Sequence, residues 1–236
     1  MMRALFFGAL FTIAGCSSLS ISVNGSNLEV SDNVASLDTL TVLPGLINPY
    51  RDSMKREMGE EIAIAETSFT VNRKPSGNLS NWIADAVFVN QTRNKRLSDP
   101  VMCLLNTGGI RSSILKGGVT VGDMFKVMPF DNEVVWARLP IESLEEIHTY
   151  IFQKGGEPIS NATVNREDLL INGRIERHTH FWVITSDYLA NGGDNMNFFA
   201  KSTERFNTNI LIRDILIEEA RTQGTLHSDT TNRMIF

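Results

Sequence analysis

The stretch that decides the fold reads Val101-Met102-Cys103-Leu104-Leu105-Asn106-Thr107-Gly108-Gly109-Ile110-Arg111 and runs on to Met128-Pro129-Phe130. An unbroken apolar run, stopped by a polar residue and paired glycines, predicts a buried strand feeding a tight turn. Glycine removes the Cβ that keeps a ligand off the backbone. Arg111 stands just past the turn, where its planar fork can grip a phosphate or a carboxylate bidentately. A plain strand-to-loop turn with a surface arginine has the same sequence, so this stretch alone does not separate the two. Further on, Thr120 and Asp123 have the spacing of a capping box that opens a short helix. Pro129 fixes the backbone ahead of Phe130 and so holds its ring, either as a stacking face or as a core contact.

A second segment follows the same plan. Phe181-Trp182-Val183-Ile184-Thr185 reads as a buried strand and enters Ser186-Asp187-Tyr188-Leu189-Ala190-Asn191-Gly192-Gly193-Asp194. Two buried strands thus run into polar Gly-Gly turns, with Phe130 after one and Tyr188 within the approach to the other. Two rings can sandwich a flat base, Asp194 can accept from ribose hydroxyls, and Asn106 and Arg111 can hold a phosphate.

The remaining periodicity fills in the scaffold. Leu46, Ile47, Tyr50, Met54 and Met58 predict a helix stopped at Gly59, with a strand from Ile62 towards Phe69. Leu79, Trp82, Ile83, Ala86 and Val87 form the apolar stripe of another helix. Asp85 sits among them, either as an anchor under the ligand loop or as a residue bonding a backbone N–H. Glu133 to Leu139 alternates as a strand, and Pro140 to Phe152 reads as a helix closed by Gly155-Gly156. Ser160 to Asn172 predicts strand, turn and strand, and Asn207 to Gly224 a last helix with Ile210, Leu211, Ile215, Leu216 and Ala220 inside. Met234-Ile235-Phe236 is expected at a sheet edge.

Composition narrows the chemistry. A formal charge of -5 over 236 residues provides no basic field for nucleic acid. Two cysteines rule out a disulfide scaffold, and Cys103, inside an apolar strand, reads as a core residue with a protonated thiol. His178 and His180, two apart, can share a face as a metal pair, but no third ligand is spaced around them. His148 and His227 have nothing to ligate beside them. Asp187 and Asp194 could be an acid–base pair, yet no nucleophile with a base partner accompanies them. Neither a phosphate loop nor a dinucleotide fingerprint is present. No catalytic residue, metal site or cofactor is therefore expected in this chain.

The amino-terminal segment reads as an address. Arg3, the apolar run Ala4 to Ile13 and the small pair Ala14-Gly15 make a signal peptide over residues 1–15. Ile13-Ala14-Gly15-Cys16 resembles a bacterial lipobox, which makes Cys16 the expected lipidation site. Residues 16–39 are polar and suit a tether. The expected location is the bacterial cell envelope, lipid-anchored on the periplasmic or outer-membrane face.

The runs Leu79-Ser80-Asn81-Trp82-Ile83-Ala84-Asp85-Ala86, Asn106-Thr107-Gly108-Gly109-Ile110-Arg111, Met128-Pro129-Phe130 and Tyr188-Leu189-Ala190-Asn191-Gly192-Gly193-Asp194 resemble the C-terminal substrate-binding domain of bacterial and animal 5′-nucleotidases. Order and approximate spacing hold from about Pro44 to Phe236. The resemblance implies an α/β fold of the α+β type over residues 40–236, in α/β/β/α layers. It also implies base stacking by Phe130 and Tyr188, ribose binding by Asp194, and phosphate binding by Asn106 and Arg111. Two departures stand out. Where the family carries phosphate-binding arginines this chain has Arg73-Lys74-Pro75, so Arg73 is the stand-in, and Ser80 replaces a glycine. Tyr188 replaces the family's usual phenylalanine and adds a hydroxyl.

Family members place a two-metal phosphoesterase domain ahead of this one, and the segment between Cys16 and Pro44 is too short to hold it. The expectation is a nucleotide-binding subunit of a nucleotide-catabolising system. It would not hydrolyse alone and would work with a separate metallophosphoesterase that carries the divalent metals. The alternatives are a stand-alone nucleoside- or nucleotide-capture lipoprotein and a structural lipoprotein with a vestigial pocket.

Overall fold

The computed structural model describes residues 42–71, 76–172 and 177–236, with side chains from residue 45. The signal peptide, Cys16, the tether and Arg73 lie outside the described residues. The chain divides into two compact units, Met1–Asn48 and Pro49–Phe236. Of the first, residues 42–48 are described and are helical, the opening turns of α1 (Val42–Met58).

The elements after α1 follow in order: β1 (Glu61–Ala65), α2 (Asn78–Thr92), β2 (Val101–Leu104), β3 (Gly117–Thr120), α3 (Val121–Val127), β4 (Glu133–Pro140) and α4 (Ser143–Lys154). Then come β5 (Ile159–Ser160), β6 (Ala162–Val164), β7 (Leu169–Ile171), β8 (His180–Ser186), α5 (Asp187–Ala190), β9 (Glu204–Leu211), α6 (Ile212–Gln223) and β10 (Thr225–Leu226). The central sheet has the order β5-β2-β8-β4-β9, with β10-β1-β3 and β6-β7 as smaller sheets. This is the expected α/β class, with helices against more than one sheet.

The unbroken apolar run of β2 follows from its place in that sheet. β2 pairs parallel with β8 (Val101↔Trp182, Cys103↔Ile184) and antiparallel with β5, and the sheet carries a core on each face. Alternate side chains therefore enter different cores. Val101, Cys103 and Leu105 join α2, α3, α6 and the three-stranded sheet, whereas Met102 and Leu104 join α4 and the β6–β7 ribbon. On α2, Leu79, Ile83 and Val87 are fully buried, each contributing on the order of 2 kcal/mol by removal from water. The indole N–H of Trp82 donates to Gln223 Oε1 at 3.0 Å, and that of Trp136 to Gln91 Oε1 at 3.0 Å, so both rings are buried without an orphaned donor.

Several expectations are corrected. The strand after Gly59 stops at Ala65, and Ile64 points outward at 52% exposure. Pro140 ends β4 rather than opening a helix, and α4 begins at Ser143. Residues 207–211 are strand, not helix: β9 pairs with β4 (Val135↔Asn207, Trp136↔Phe206), and the helix starts only at Ile212. The α1 stripe is not a core stripe throughout, because Tyr50 and Met54 are exposed while Met58 packs on the first core. Among the described residues no backbone N–H bonds Asp85. It takes a bidentate ion pair from Arg233 (2.6 and 2.8 Å) and the Ser160 hydroxyl at 2.6 Å.

Candidate functional site

The central sheet brings distant segments to one edge. Because β2 and β8 are parallel neighbours, their carboxyl ends lie side by side, and the chain leaves them at Asn106 and at Asp187. β4 runs antiparallel to β8 (Val134↔Ser186), so its beginning meets the end of β8, and Phe130 to Asn132 arrive at the same place. The result is a cleft of about 420 Å³ lined by Asn106, Gly108, Gly109, Arg111, Phe130, Asn132, Tyr188 and Asp194. Asn106, Arg111, Phe130, Tyr188 and Asp194, all singled out from sequence, are thus brought together. Phe130 and Tyr188 are 44% and 47% exposed, half-buried rings with free surface at the cleft.

Asp194 is the most constrained residue of the group. It follows Gly192-Gly193 with φ +53°, in the left-handed region that side chains other than glycine rarely adopt. Its Oδ2 accepts from Asn106 Nδ2 at 2.6 Å and its Oδ1 from the Tyr188 hydroxyl at 2.9 Å. Its N–H donates to the Tyr188 oxygen at 3.3 Å, and its carbonyl accepts from the Tyr150 hydroxyl at 3.0 Å. Burial, then the charges of Glu157 and Asp194, push the Tyr150 phenol well above its usual range, so it remains a donor. Gly193 is required for this packing, because a Cβ there would come within 2.5 Å of the Tyr188 ring. Gly109 is needed for the same reason at the other turn, where a Cβ would stand 3.0 Å from Asn106 Oδ1. Asn106 gives one amide hydrogen to Asp194 and carries a second on the same nitrogen.

The rest of the shell was not read from the sequence. Glu157 is buried, and its Oε2 accepts from both the N–H and the hydroxyl of Thr107 at 2.7 Å, which fixes the 3₁₀ turn Thr107–Gly109. Arg213 on α6 donates to the Met128 carbonyl at 3.3 Å and pairs with Asp131 at 2.5 Å, which seats the Phe130 turn from beneath. The Ser186 hydroxyl caps α5 by accepting from Leu189 N at 3.1 Å. The Arg111 guanidinium lies at the rim, donating to the Gly108 carbonyl at 3.3 Å. Across Gly108 a second recess of about 310 Å³ adds Lys154 to Arg111, Glu157 and Asp194.

Elsewhere the candidate chemistry is dispersed. Cys103 is fully buried, and its thiol is pushed up out of the reactive range, first by burial and then by the charge of Asp85. His178 lies 3.6 Å from Asp99, while His180 bonds the Thr179 hydroxyl. Among the described residues no group of three or more His, Cys, Asp or Glu side chains is placed to hold a metal ion. The acid–base pairing considered for Asp187 and Asp194 gains no support, since Asp187 accepts from the N–H groups of Glu133 and Tyr188.

Comparison with known proteins gives this geometry a relationship. Residues 55–140 match the family model described as 5′-nucleotidase, C-terminal domain. The match covers little more than a third of the chain. It includes Asn106, Arg111 and Phe130 but stops before Tyr188 and Asp194. The Trifunctional nucleotide phosphoesterase protein YfkN of Bacillus subtilis is 26% identical over 104 residues, covering 42% of this chain and 7% of YfkN. The fold likeness runs further along the chain. A 5′-nucleotidase precursor from Thermus thermophilus superposes with TM-score 0.65 at 21% identity over 81% of this chain. The NAD nucleotidase NadN of Haemophilus influenzae does so with TM-score 0.64 at 18% identity over 85% of it. This chain spans 42% and 44% of those two structures, less than half of each.

Proposed function

We propose that the cleft between Phe130 and Tyr188 binds a nucleotide, with the base between the two rings, the ribose hydroxyls on Asp194 and the phosphate at Arg111. Asn106 orients Asp194 and keeps one N–H for the phosphate or the sugar. Lys154, across the Gly108 rim, adds positive charge on the side where Arg111 stands. The single observation that carries this reading is the convergence of two half-exposed rings, a carboxylate and a guanidinium, from three distant segments, on one cleft of about 420 Å³. On this reading the chain serves nucleotide breakdown as a substrate-holding domain. Bond cleavage belongs to a metallophosphoesterase that works with it and carries the divalent metals. The family match over residues 55–140 and the name of YfkN support this assignment.

Calorimetric titration with adenosine monophosphate and with adenosine tests it. Both are expected to bind. Phe130→Ala should weaken both by about 1–3 kcal/mol, the usual worth of one base–aromatic stack, with Tm unmoved because the ring is half exposed. The absence of binding by either ligand would refute the reading. From the sequence motif alone we place a lipid on Cys16, which would hold the domain at the bacterial envelope. The protein expressed from its full reading frame should partition into the detergent phase of Triton X-114. Partition of Cys16→Ala into that phase to the same extent would exclude the anchor.

A further inference from the structure

We propose that the hydroxyl of Tyr188 makes this cleft selective for a vicinal diol, and hence for ribonucleosides over 2′-deoxyribonucleosides; the inference rests on the nucleotide reading above. Asp194 is held at both carboxylate oxygens by side chains of the protein itself. Asn106 Nδ2 lies 2.6 Å from Oδ2 and the Tyr188 hydroxyl 2.9 Å from Oδ1. Each carboxylate oxygen accepts about two hydrogen bonds, so one accepting position remains on each. Rotation of the carboxylate would break one of the two bonds, and the backbone beneath it is fixed as well. Asp194 carries φ +53°, its carbonyl is bonded by Tyr150 at 3.0 Å, and its N–H is bonded to Tyr188 at 3.3 Å. The two remaining acceptors are therefore presented as a rigid pair, one per oxygen, which suits hydroxyls on adjacent carbons.

A sugar with only one of these hydroxyls leaves an acceptor unfilled, and sites built to bond a hydroxyl discriminate strongly against analogues that lack it. A phenylalanine at position 188 keeps the ring against Gly193 and its stacking face. Oδ1 is then free to turn, and the carboxylate can satisfy itself on a single hydroxyl or on water. Tyr188 is thus a positioning residue that acts through Asp194, in addition to offering its ring to the base.

Titration of adenosine and 2′-deoxyadenosine into the wild type and Tyr188→Phe tests this. The wild type should prefer adenosine by at least about tenfold. In Tyr188→Phe the 2′-deoxyadenosine affinity should stay within about twofold while that for adenosine falls to the same level. A preference that survives in Tyr188→Phe, no preference in the wild type, or an equal loss for both sugars would each overturn the proposal. Wild-type protein that binds neither nucleoside would instead overturn the nucleotide reading itself.

Discussion

Arg111 is the residue whose removal should separate phosphate from nucleoside. Its side chain stands at the cleft rim and contributes a single 3.3 Å bond to the Gly108 carbonyl, so little of the fold depends on it. Arg111→Ala is expected to weaken adenosine monophosphate by about 1.5–3 kcal/mol, the range for hydrogen bonds to a charged group, roughly ten- to a hundredfold. Adenosine should be unaffected in the same titration, and an equal loss for both would show that Arg111 does not meet the phosphate. At this scale the cleft-facing residues were legible, because Asn106, Phe130, Tyr188 and Asp194 each interrupt or follow an apolar run. Their supports were not. Glu157 lies between Gly156 and Pro158 and looks like a turn carboxylate, and it becomes buried only because β5 lies beside β2 and delivers it to Thr107. Tyr150 looks like one more residue of an amphipathic helix until Asp194 arrives from elsewhere in the chain.

Among the elements, α3 gives the clearest test of local chemistry. Thr120 Oγ1 accepts from Asp123 N at 3.2 Å, and Asp123 Oδ2 accepts from Thr120 N at 3.0 Å, the reciprocal bonds of a capping box. Thr120→Ala should cost about 1 kcal/mol in urea unfolding. The Asp123 carboxyl is pushed up by burial, but the bonds from Thr120 and Lys126 outweigh this and hold it below its ordinary 3.8. A lowered folded-state value gives stability that is present above pH 3.8 and lost as pH falls below it. Asp123→Asn should therefore be less stable than the wild type at neutral pH, and the difference should shrink on acidification; a difference constant with pH would contradict the assignment. This box was readable in sequence because it needs only residues three apart. The β9 segment was not, because Ile210, Leu211 and Ile215 fit a helical face as well as a strand, and pairing with β4 decided the matter.

For the whole molecule, the carboxyl-terminal segment is tied down by one arginine. Arg233 bonds Asp85 through both terminal nitrogens, Asp229 at 2.6 Å and the Ile159 carbonyl at 2.8 Å, which joins the chain end to α2 and β5. Breaking a fully buried pair costs about 3–5 kcal/mol. Asp85 and Asp229 are 39% and 37% exposed, so Arg233→Ala should cost less, roughly 2 kcal/mol. Arg233→Ala and Asp85→Ala should be non-additive in a double-mutant cycle, and simple additivity would deny the coupling.

The strand order has one more consequence. β8, late in the chain, occupies the middle position between β2 and β4, which do not pair with each other. As the polypeptide emerges from the ribosome, the part that precedes His180 contains two strands waiting for a shared neighbour that has not been made. The cleft therefore does not exist until β8 has been made. Occupancy of the cleft becomes possible only once β8 and the turn to Asp194 have been made, so binding of a ligand there would report that the centre of the sheet has closed.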